Sequence, residues 1–519
     1  MRISLISFFL LGFLVSAVFA LMPITTKLEH FIIEDMFYYL RIAQYLVSGS
    51  GSTFDGSAPT NGYHPAWMLV SVALASVFSG ENLVTALLLI AALLHGCQAA
   101  IIYKILERNT SREVSVGVTL IYVFNWRIIA VNLGGLETPL AVFSILIILD
   151  WLDRKRNEAL SDRDRIILSI MLGLSIYTRM DLILFAAATL LFVWLLDIFF
   201  HNIPFWRATS REIFMAIIVV AVLTPWFYFS LRVSGALLPN SRVALDLFGD
   251  PAATQSLIEF SIQKLRYSIN LSQDTANMIG LWPYAPADGL MSLTAAALLT
   301  LAVFSVFLGV WQARSIAPLS IVVWLCLGFA VLHVGYYVTQ SAPKVRYMLP
   351  VVAAMALPFG IALHAIESFR SGKKYSVGII STIFVISLVA GLQCWLANVG
   401  SGRFHAFHPL LRESGLWIGN ELPNSRIGSW NAGIISFFSR APVTNLDGVV
   451  NDESIQFMRK GDISSYIQER GLTHLADLGS EIDKFLTWFD PRGHVRTEIV
   501  ATFSDQVGRT VEIRRILGK

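Results

Sequence analysis

The sequence predicts an α-helical polytopic membrane protein with a small C-terminal α/β domain, and three observations lead there. Of its 519 residues 55% are hydrophobic and only 14% charged, whereas a soluble domain carries about 25% charged residues. Apolar runs recur that are long enough to cross a bilayer, which takes roughly 17–25 residues in a helix that satisfies its own backbone polar groups. From about residue 398 these runs stop, and short strand-like and helical stretches alternate. The formal charge of +3 is scattered over loops, so nucleic acid finds no basic stripe. Cys97, Cys326 and Cys394 lie in apolar runs as small buried hydrophobes do, with neither disulfide nor metal-ligand spacing.

In chain order, residues 1–22 read as a secretory signal ending near Ala20 or as a retained first span; the many spans that follow favour the second. About eleven spans are expected, near 4–22, 83–104, 113–130, 137–152, 166–179, 182–200, 212–230, 290–311, 318–338, 347–366 and 375–397. The run from Pro65 to Phe78 is too short for a twelfth, and counting it would invert every later loop. With it excluded, the arginines and lysines of 104–112, 154–165, 207–211, 314 and 370–374 fall inside, leaving few outside, as the positive-inside rule requires. Residues 65–78 therefore read as a helix at the outer interface, with Trp67 as a headgroup anchor. This threading makes 1–397 the membrane domain. Loops 23–64 and 231–289, a short loop at Asn132–Thr138, and a domain at 398–519 lie outside the cytoplasm. Strands are expected at Arg426–Trp430, Val443–Leu446, His474–Leu478, Glu498–Phe503 and Thr510–Ile516, and helices at Glu453–Arg459 and Ile463–Arg470.

The residues suited to chemistry sit at the outer ends of spans. Glu34 and Asp35 are adjacent carboxylates, which raise one another's proton affinity and so suit a general base. They read equally as an N-capping pair, with Tyr38, Tyr39 and Arg41 as headgroup anchors. Arg179, Lys344, Arg346 and Arg232 terminate different spans, so they either converge on a phosphate or snorkel to lipid. Glu137 reads as a site carboxylate or a helix cap, and Asp181 as a site group or the ion-pair partner of Arg179. His64, before Pro65, reads as a substrate contact or a satisfied junction histidine. Tyr336, Tyr337 and Tyr347 suit sugar stacking or an aromatic belt. Asn431, Asp447 and Asn451 follow strand ends, where α/β domains keep polar binding groups and where turn chemistry, the preferred reading, also selects Asn and Asp.

The run Glu34-Asp35-Met-Phe-Tyr38-Tyr39-Leu-Arg41, with Thr60-Asn-Gly-Tyr-His-Pro65 after it, resembles the first extracytoplasmic loop of GT-C glycosyltransferases. Gly134-Gly-Leu-Glu-Thr-Pro139, Thr178-Arg-Met-Asp181 and Arg346-Tyr-Met-Leu-Pro350 extend the likeness in the same order along the chain. The motifs are similar to those of bacterial polyprenyl-phosphate-sugar transferases, including arabinofuranosyltransferases, lipid A aminoarabinose transferase and protein O-mannosyltransferases. In the tail, Ser429-Trp-Asn-Ala-Gly433 and Asn445-Leu-Asp-Gly448 resemble tails of uncharacterised members, and there the resemblance implies no chemistry.

The resemblance implies a GT-C-like fold in a bacterial inner membrane. It also implies an inverting enzyme that moves a sugar from a polyprenyl-phosphate donor to a glycan, lipid or protein acceptor outside the cytoplasm. Asp35, and after it Glu34, would be the base; Arg179, Lys344, Arg346 and Arg232 would hold the donor phosphate; and Tyr38, Tyr39, Arg41, His64, Glu137, Asp181 and Tyr347 would line the substrate. A divalent metal is left open, since no His or carboxylate cluster has a ligand spacing that decides it. Two other classes stand beside the enzyme: a transporter or flippase of lipid-linked sugars, and a non-catalytic scaffold of an envelope assembly complex. Against the transporter, the charges avoid the bilayer midplane and no repeat is visible.

Overall fold

The computed structural model describes residues 4–155, 158–237, 321–338, 344–367, 372–401, 407–506 and 508–517, with single positions 239, 241 and 244. The apolar runs form helices: α1 (Leu5–Ala20), α2 (Ile24–His30), α3 (Asp35–Val47), α4 (Pro65–Ala75), α5 (Gly80–Asn109), α6 (Arg112–Phe124), α7 (Trp126–Asn132), α8 (Thr138–Lys155), α9 (Asp162–Thr178), α10 (Ile183–Phe199) and α11 (Phe205–Ser234), followed by Ile321–Val338, Leu349–Glu367 and Gly372–Ser401. Among the described residues five helical segments are long and apolar enough to cross a membrane, or seven if each of two bent pairs is one span. The protein is thus an integral membrane helical bundle. The expected span 290–311 and most of the loop 231–289 lie outside the described residues.

The bent pairs have local causes. The expected span 4–22 is α1, after which the chain turns by 108° into α2 with Pro23 at the break, where its ring opposes helix continuation. The span expected at 113–130 is α6 and α7, bent by 59°. Asn125 lies between them in an extended conformation, its side chain accepting the Ile128 N–H as an N-cap.

One apolar core gathers α5, α6 and α8 to α11 with the later helices. A second joins the first loop to the C-terminal domain, packing Phe37 and Leu40 of α3 with Ile434, Ile435 and Phe437. Trp67 belongs to this second core, which corrects its expected role as a headgroup anchor. It is fully buried, and its indole N–H donates to the Gly135 carbonyl at 2.9 Å; a partner inside the protein removes the reason for an indole to sit among headgroups.

The C-terminal domain holds one five-stranded sheet in the order β2-β1-β3-β5-β4, from β1 (Ile427–Ser429), β2 (Val443–Asn445), β3 (His474–Leu478), β4 (Arg496–Ser504) and β5 (Thr510–Leu517). β1 runs parallel to β2 and β3, with Ile427 opposite both Val443 and His474, while β5 is antiparallel to β3 and to β4. The C-terminal ends of the three parallel strands face α3, and the loop before α4 meets the turn after β2 backbone to backbone. A Cβ at Gly62 would lie 2.1 Å from the Val449 carbonyl oxygen. Gly62→Ala is therefore expected to lower stability by about 1–3 kcal/mol by forcing the two layers apart, read as a drop in melting temperature of the purified protein.

Candidate active site

The acidic pair opens α3 and splits between two partners. Glu34 occupies the N-cap position but makes no capping bond with its side chain. Its Oε1 instead accepts the backbone N–H of Gly433 at 2.9 Å, in the first turn of the helix Ala432–Ser439, where exposed N–H groups favour an acceptor. Burial first, then the nearby Asp477 and Asp35 charges, push the Glu34 carboxyl well above its usual range, and the Gly433 N–H offsets only part of this. Asp35 is open: its side chain is 38% exposed, and its Oδ2 lies 2.8 Å from Nη2 of Arg346, itself 16% exposed. The two acids are therefore different groups, one a buried strut and the other an accessible carboxylate facing a guanidinium.

Helical periodicity explains the split. Glu34, Tyr38 and Arg41 share one face of α3, and Asp35 and Tyr39 share another, because residues four apart align. The first face meets the C-terminal domain. Tyr38 OH lies 3.4 Å from both the Trp430 carbonyl and Asp447 Oδ2, and Asn445 Nδ2 donates to it at 3.3 Å. Arg41 donates to Ser436 Oγ at 3.1 Å and to Gln44 at 3.0 Å. Tyr38 and Arg41 are thus interface groups and not headgroup anchors, since the domain covers the face they occupy.

The second face meets the membrane helices. Tyr39 OH donates to Glu137 Oε2 at 3.2 Å and accepts the His64 N–H at 2.9 Å. His64 Nδ1 accepts the Met180 N–H at 3.3 Å, which places the ring proton on Nε2, 3.7 Å from Glu137 Oε1. Burial pushes the His64 imidazolium toward its neutral form. Arg179 Nε lies 3.9 Å from the same Glu137 oxygen. Glu137 is therefore ringed by site residues. The Gly134-Gly135 turn that carries it presses on α3: Ile33 N–H donates to the Gly134 carbonyl at 3.1 Å. Gly135 has φ +83°, and a Cβ there would lie 2.0 Å from Met36 Sδ, so glycine is required.

Beneath Asp35 lies a buried scaffold. Arg179, 1% exposed, pairs with Asp181 at 2.9 Å and donates to Tyr337 OH and the Arg346 carbonyl, both at 3.3 Å. Tyr337 OH donates to Asp181. His333 Nε2, fully buried, donates to the Tyr347 carbonyl at 2.8 Å. The Tyr347 ring lies under both guanidiniums, 4.8 Å from Arg179 and 5.3 Å from Arg346. Asp181 Oδ1 and Arg346 Nε are buried without a hydrogen-bond partner. Lys344 is exposed, two residues from Arg346 and within electrostatic reach of Asp35.

Of the expected cations, Arg179, Lys344 and Arg346 thus gather around Asp35, and Arg232 does not. Ser230 and Ser234 turn one face of α11 to Asn61 Nδ2, at 2.7 and 2.8 Å. Arg232, midway between them, points elsewhere because residues two apart do not share a face; it is exposed, beside the Tyr228 ring. His333 and Ser436 join the site region without having been singled out by sequence, and Gly433 and Asn445, which belong to the two tail motifs, join it although the resemblance implied no chemistry for them. Asn431 and Asn451 do serve turns, donating to Asp477 Oδ1 at 2.8 Å and to the Asn445 carbonyl at 2.6 Å. Among the described residues no three His, Cys, Asp or Glu side chains are arranged to hold a metal ion.

The helical membrane bundle with a charged first loop, closed over by a C-terminal α/β domain, is a fold with counterparts among solved structures. The comparison with solved structures makes this particular. The chain is similar to ArnT from Cupriavidus metallidurans bound to undecaprenyl phosphate, with a TM-score of 0.59 and 11% identity over 98% of this chain and 97% of that one. It is similar to the apo state of the same protein, with a TM-score of 0.59, 12% identity and the same coverage. ArnT is the lipid A aminoarabinose transferase, a GT-C enzyme. Residues 402–510 match a family described as a domain of unknown function, DUF8728. The sequence matches no curated protein.

Proposed function

We propose that the protein is an inverting glycosyltransferase that takes a sugar from a polyprenyl-phosphate donor and passes it to an acceptor outside the cytoplasm. The observation that carries this reading is the Asp35–Arg346 pair, an accessible carboxylate 2.8 Å from a guanidinium braced from below. Inverting transfer needs such a pair: a base for the acceptor proton and a cation for the departing phosphate. The acceptor hydroxyl gives its proton to Asp35 while its oxygen bonds to the anomeric carbon. The carbon–oxygen bond to the phosphate breaks from the opposite face, and polyprenyl phosphate leaves with its new charge held by Arg346 and Lys344. Arg179 is committed to Asp181, Tyr337 and the Arg346 carbonyl, so it acts by positioning Arg346. The likeness in fold to a protein bound to undecaprenyl phosphate supports the choice of donor.

Glu34 is the weaker candidate for the base, because it is buried, capped by Gly433 and biased to its neutral form. The test is transfer by the purified protein from a labelled polyprenyl-phosphate sugar to an extract of envelope glycans and lipids. Labelled product is expected, and no label on any acceptor across several donor sugars would end the reading.

A further inference from the structure

Lys344 and Arg346 share one short turn that runs into the helix Leu349–Glu367. Its backbone carbonyls are taken one after another. The Lys344 carbonyl accepts the Tyr347 N–H at 2.9 Å and closes the turn, Arg179 donates to the Arg346 carbonyl at 3.3 Å, and His333 Nε2 lies 2.8 Å from the Tyr347 carbonyl. The last of these is the shortest, and it ties the turn to the helix Ile321–Val338. A carbonyl only accepts, so the His333 proton is on Nε2, and Nδ1 is bare, buried and without a hydrogen-bond partner. The ring packs on Phe329 at 5.0 Å and on Tyr337 at 4.9 Å, and Nε2 stands 3.8 Å from Asp181 Oδ2. Tyr337, one helical turn on, stacks on the Tyr347 ring at 4.7 Å. One face of this helix thus grips Tyr347 by its carbonyl and by its ring.

We propose that His333 is a positioning residue for the donor phosphate: its bond to the Tyr347 carbonyl fixes the turn that aims Arg346 and Lys344. The inference rests on the reading of those two residues as the phosphate cations. Arg346 needs such support. Its Nη2 is turned to Asp35 at 2.8 Å, and its Nε is buried without a hydrogen-bond partner. A guanidinium binds phosphate through a fixed fork, so a small rotation of its backbone breaks the paired bonds. Arg179 holds the same turn one carbonyl earlier, but a single bond leaves the peptide free to pivot, and bonds to two successive carbonyls do not. As a space-filler the imidazole is a poor choice, since an idle buried nitrogen costs free energy that phenylalanine or leucine in the same slot would not.

The amide nitrogen of a glutamine reaches as far as Nε2, whereas that of an asparagine reaches only as far as Nδ1, so the two amides separate the bond from the polarity of the side chain. His333→Asn in the full-length protein is expected to weaken binding of farnesyl phosphate, a short polyprenyl phosphate, about tenfold, and His333→Gln to stay within about threefold of the original. Farnesol, which lacks the phosphate, binds all three proteins alike. A merely structural role lowers the yield of folded protein and leaves the affinity of the folded fraction unchanged, and equal affinities in the two variants overturn the proposal. A second measurement needs no ligand: the rate at which phenylglyoxal modifies Arg346, read by mass spectrometry. It is expected to rise several-fold in His333→Asn and not in His333→Gln. Arg165, 1% exposed at the far end of the helix that leads to Arg179, stays unmodified as long as the bundle is folded. Should His333→Asn unfold, His333→Phe, which keeps a ring and lacks the donor, replaces it with the same expectation. Coincident Arg346 rates in the variants and the original protein refute the role. If the original protein binds no farnesyl phosphate, the proposed function is what fails, and the Arg346 rates alone decide on His333.

Discussion

Asp35→Asn is expected to slow transfer about a thousandfold while the protein keeps its fold and its donor. A positioned general base contributes roughly 10²–10⁴ in rate. Asparagine preserves the shape and an oxygen for Arg346 but has no useful affinity for a proton. The stability cost is small, about 1 kcal/mol or less, because the Asp35 side chain is 38% exposed and water screens the pair. Donor binding stays within a few-fold, since Arg346 and Lys344 are untouched and a carboxylate that repelled the phosphate is gone. Glu34→Gln is the matched control. Its carboxyl is already biased to the neutral form, so the amide replaces a group of similar charge state, and transfer falls only several-fold. Initial rates at saturating donor, with donor affinity measured separately, check both. An Asp35→Asn enzyme within threefold of the original, or a Glu34→Gln enzyme equally dead, would show the base to be misassigned.

The membrane nature of the chain and its C-terminal α/β domain were legible because each leaves a periodic trace, apolar runs of spanning length in one case and alternating short strands in the other. The broken span at Asn125 was not. Hydropathy averages over a window, while the break depends on one side chain capping the next helix. The convergence of Asp35 with Arg346 and Arg179 could be expected from motifs in the right order along the chain. The separation of Arg232 from the other three cations is a matter of helical phase: its neighbours Ser230 and Ser234 bind Asn61, and no sequence pattern marks which face of α11 the first loop takes. Tyr38 and Arg41 show the same gap. Aromatic and basic residues at a membrane face look alike whether lipid or a folded domain covers them, and only the docking of the sheet on α3 decides. That docking is also why Asp447, whose bond to Val449 does fit turn chemistry, has its second oxygen 3.4 Å from Tyr38 OH.

Asp477→Ala tests how far the site depends on the interior of the C-terminal domain. Asp477 is fully buried at the end of β3 and accepts five hydrogen bonds: from Ser429 Oγ at 3.1 Å, Trp430 N at 2.9 Å, Asn431 N at 2.8 Å, Asn431 Nδ2 at 2.8 Å and Leu478 N at 2.7 Å. Burial pushes its proton affinity up and these bonds pull it back. Five donors need lone pairs, so the ionised form is the one the pocket fits. Alanine orphans three backbone N–H groups, that of Trp430 buried and those of Asn431 and Leu478 partly buried; a buried orphan costs about 1–3 kcal/mol and a partly buried one less, so a loss of about 3 kcal/mol is expected. The Trp430-Asn431 turn leads directly into the helix whose Gly433 N–H holds Glu34, so its release also frees the first turn of α3, and transfer falls with domain stability. Asp477→Asn keeps an oxygen for part of the set and is expected to lose less of both. Thermal unfolding of the domain and transfer rates across the two variants should fall together. A destabilised domain with undiminished transfer would mean that the sheet is a cover over the site and contributes nothing to its geometry.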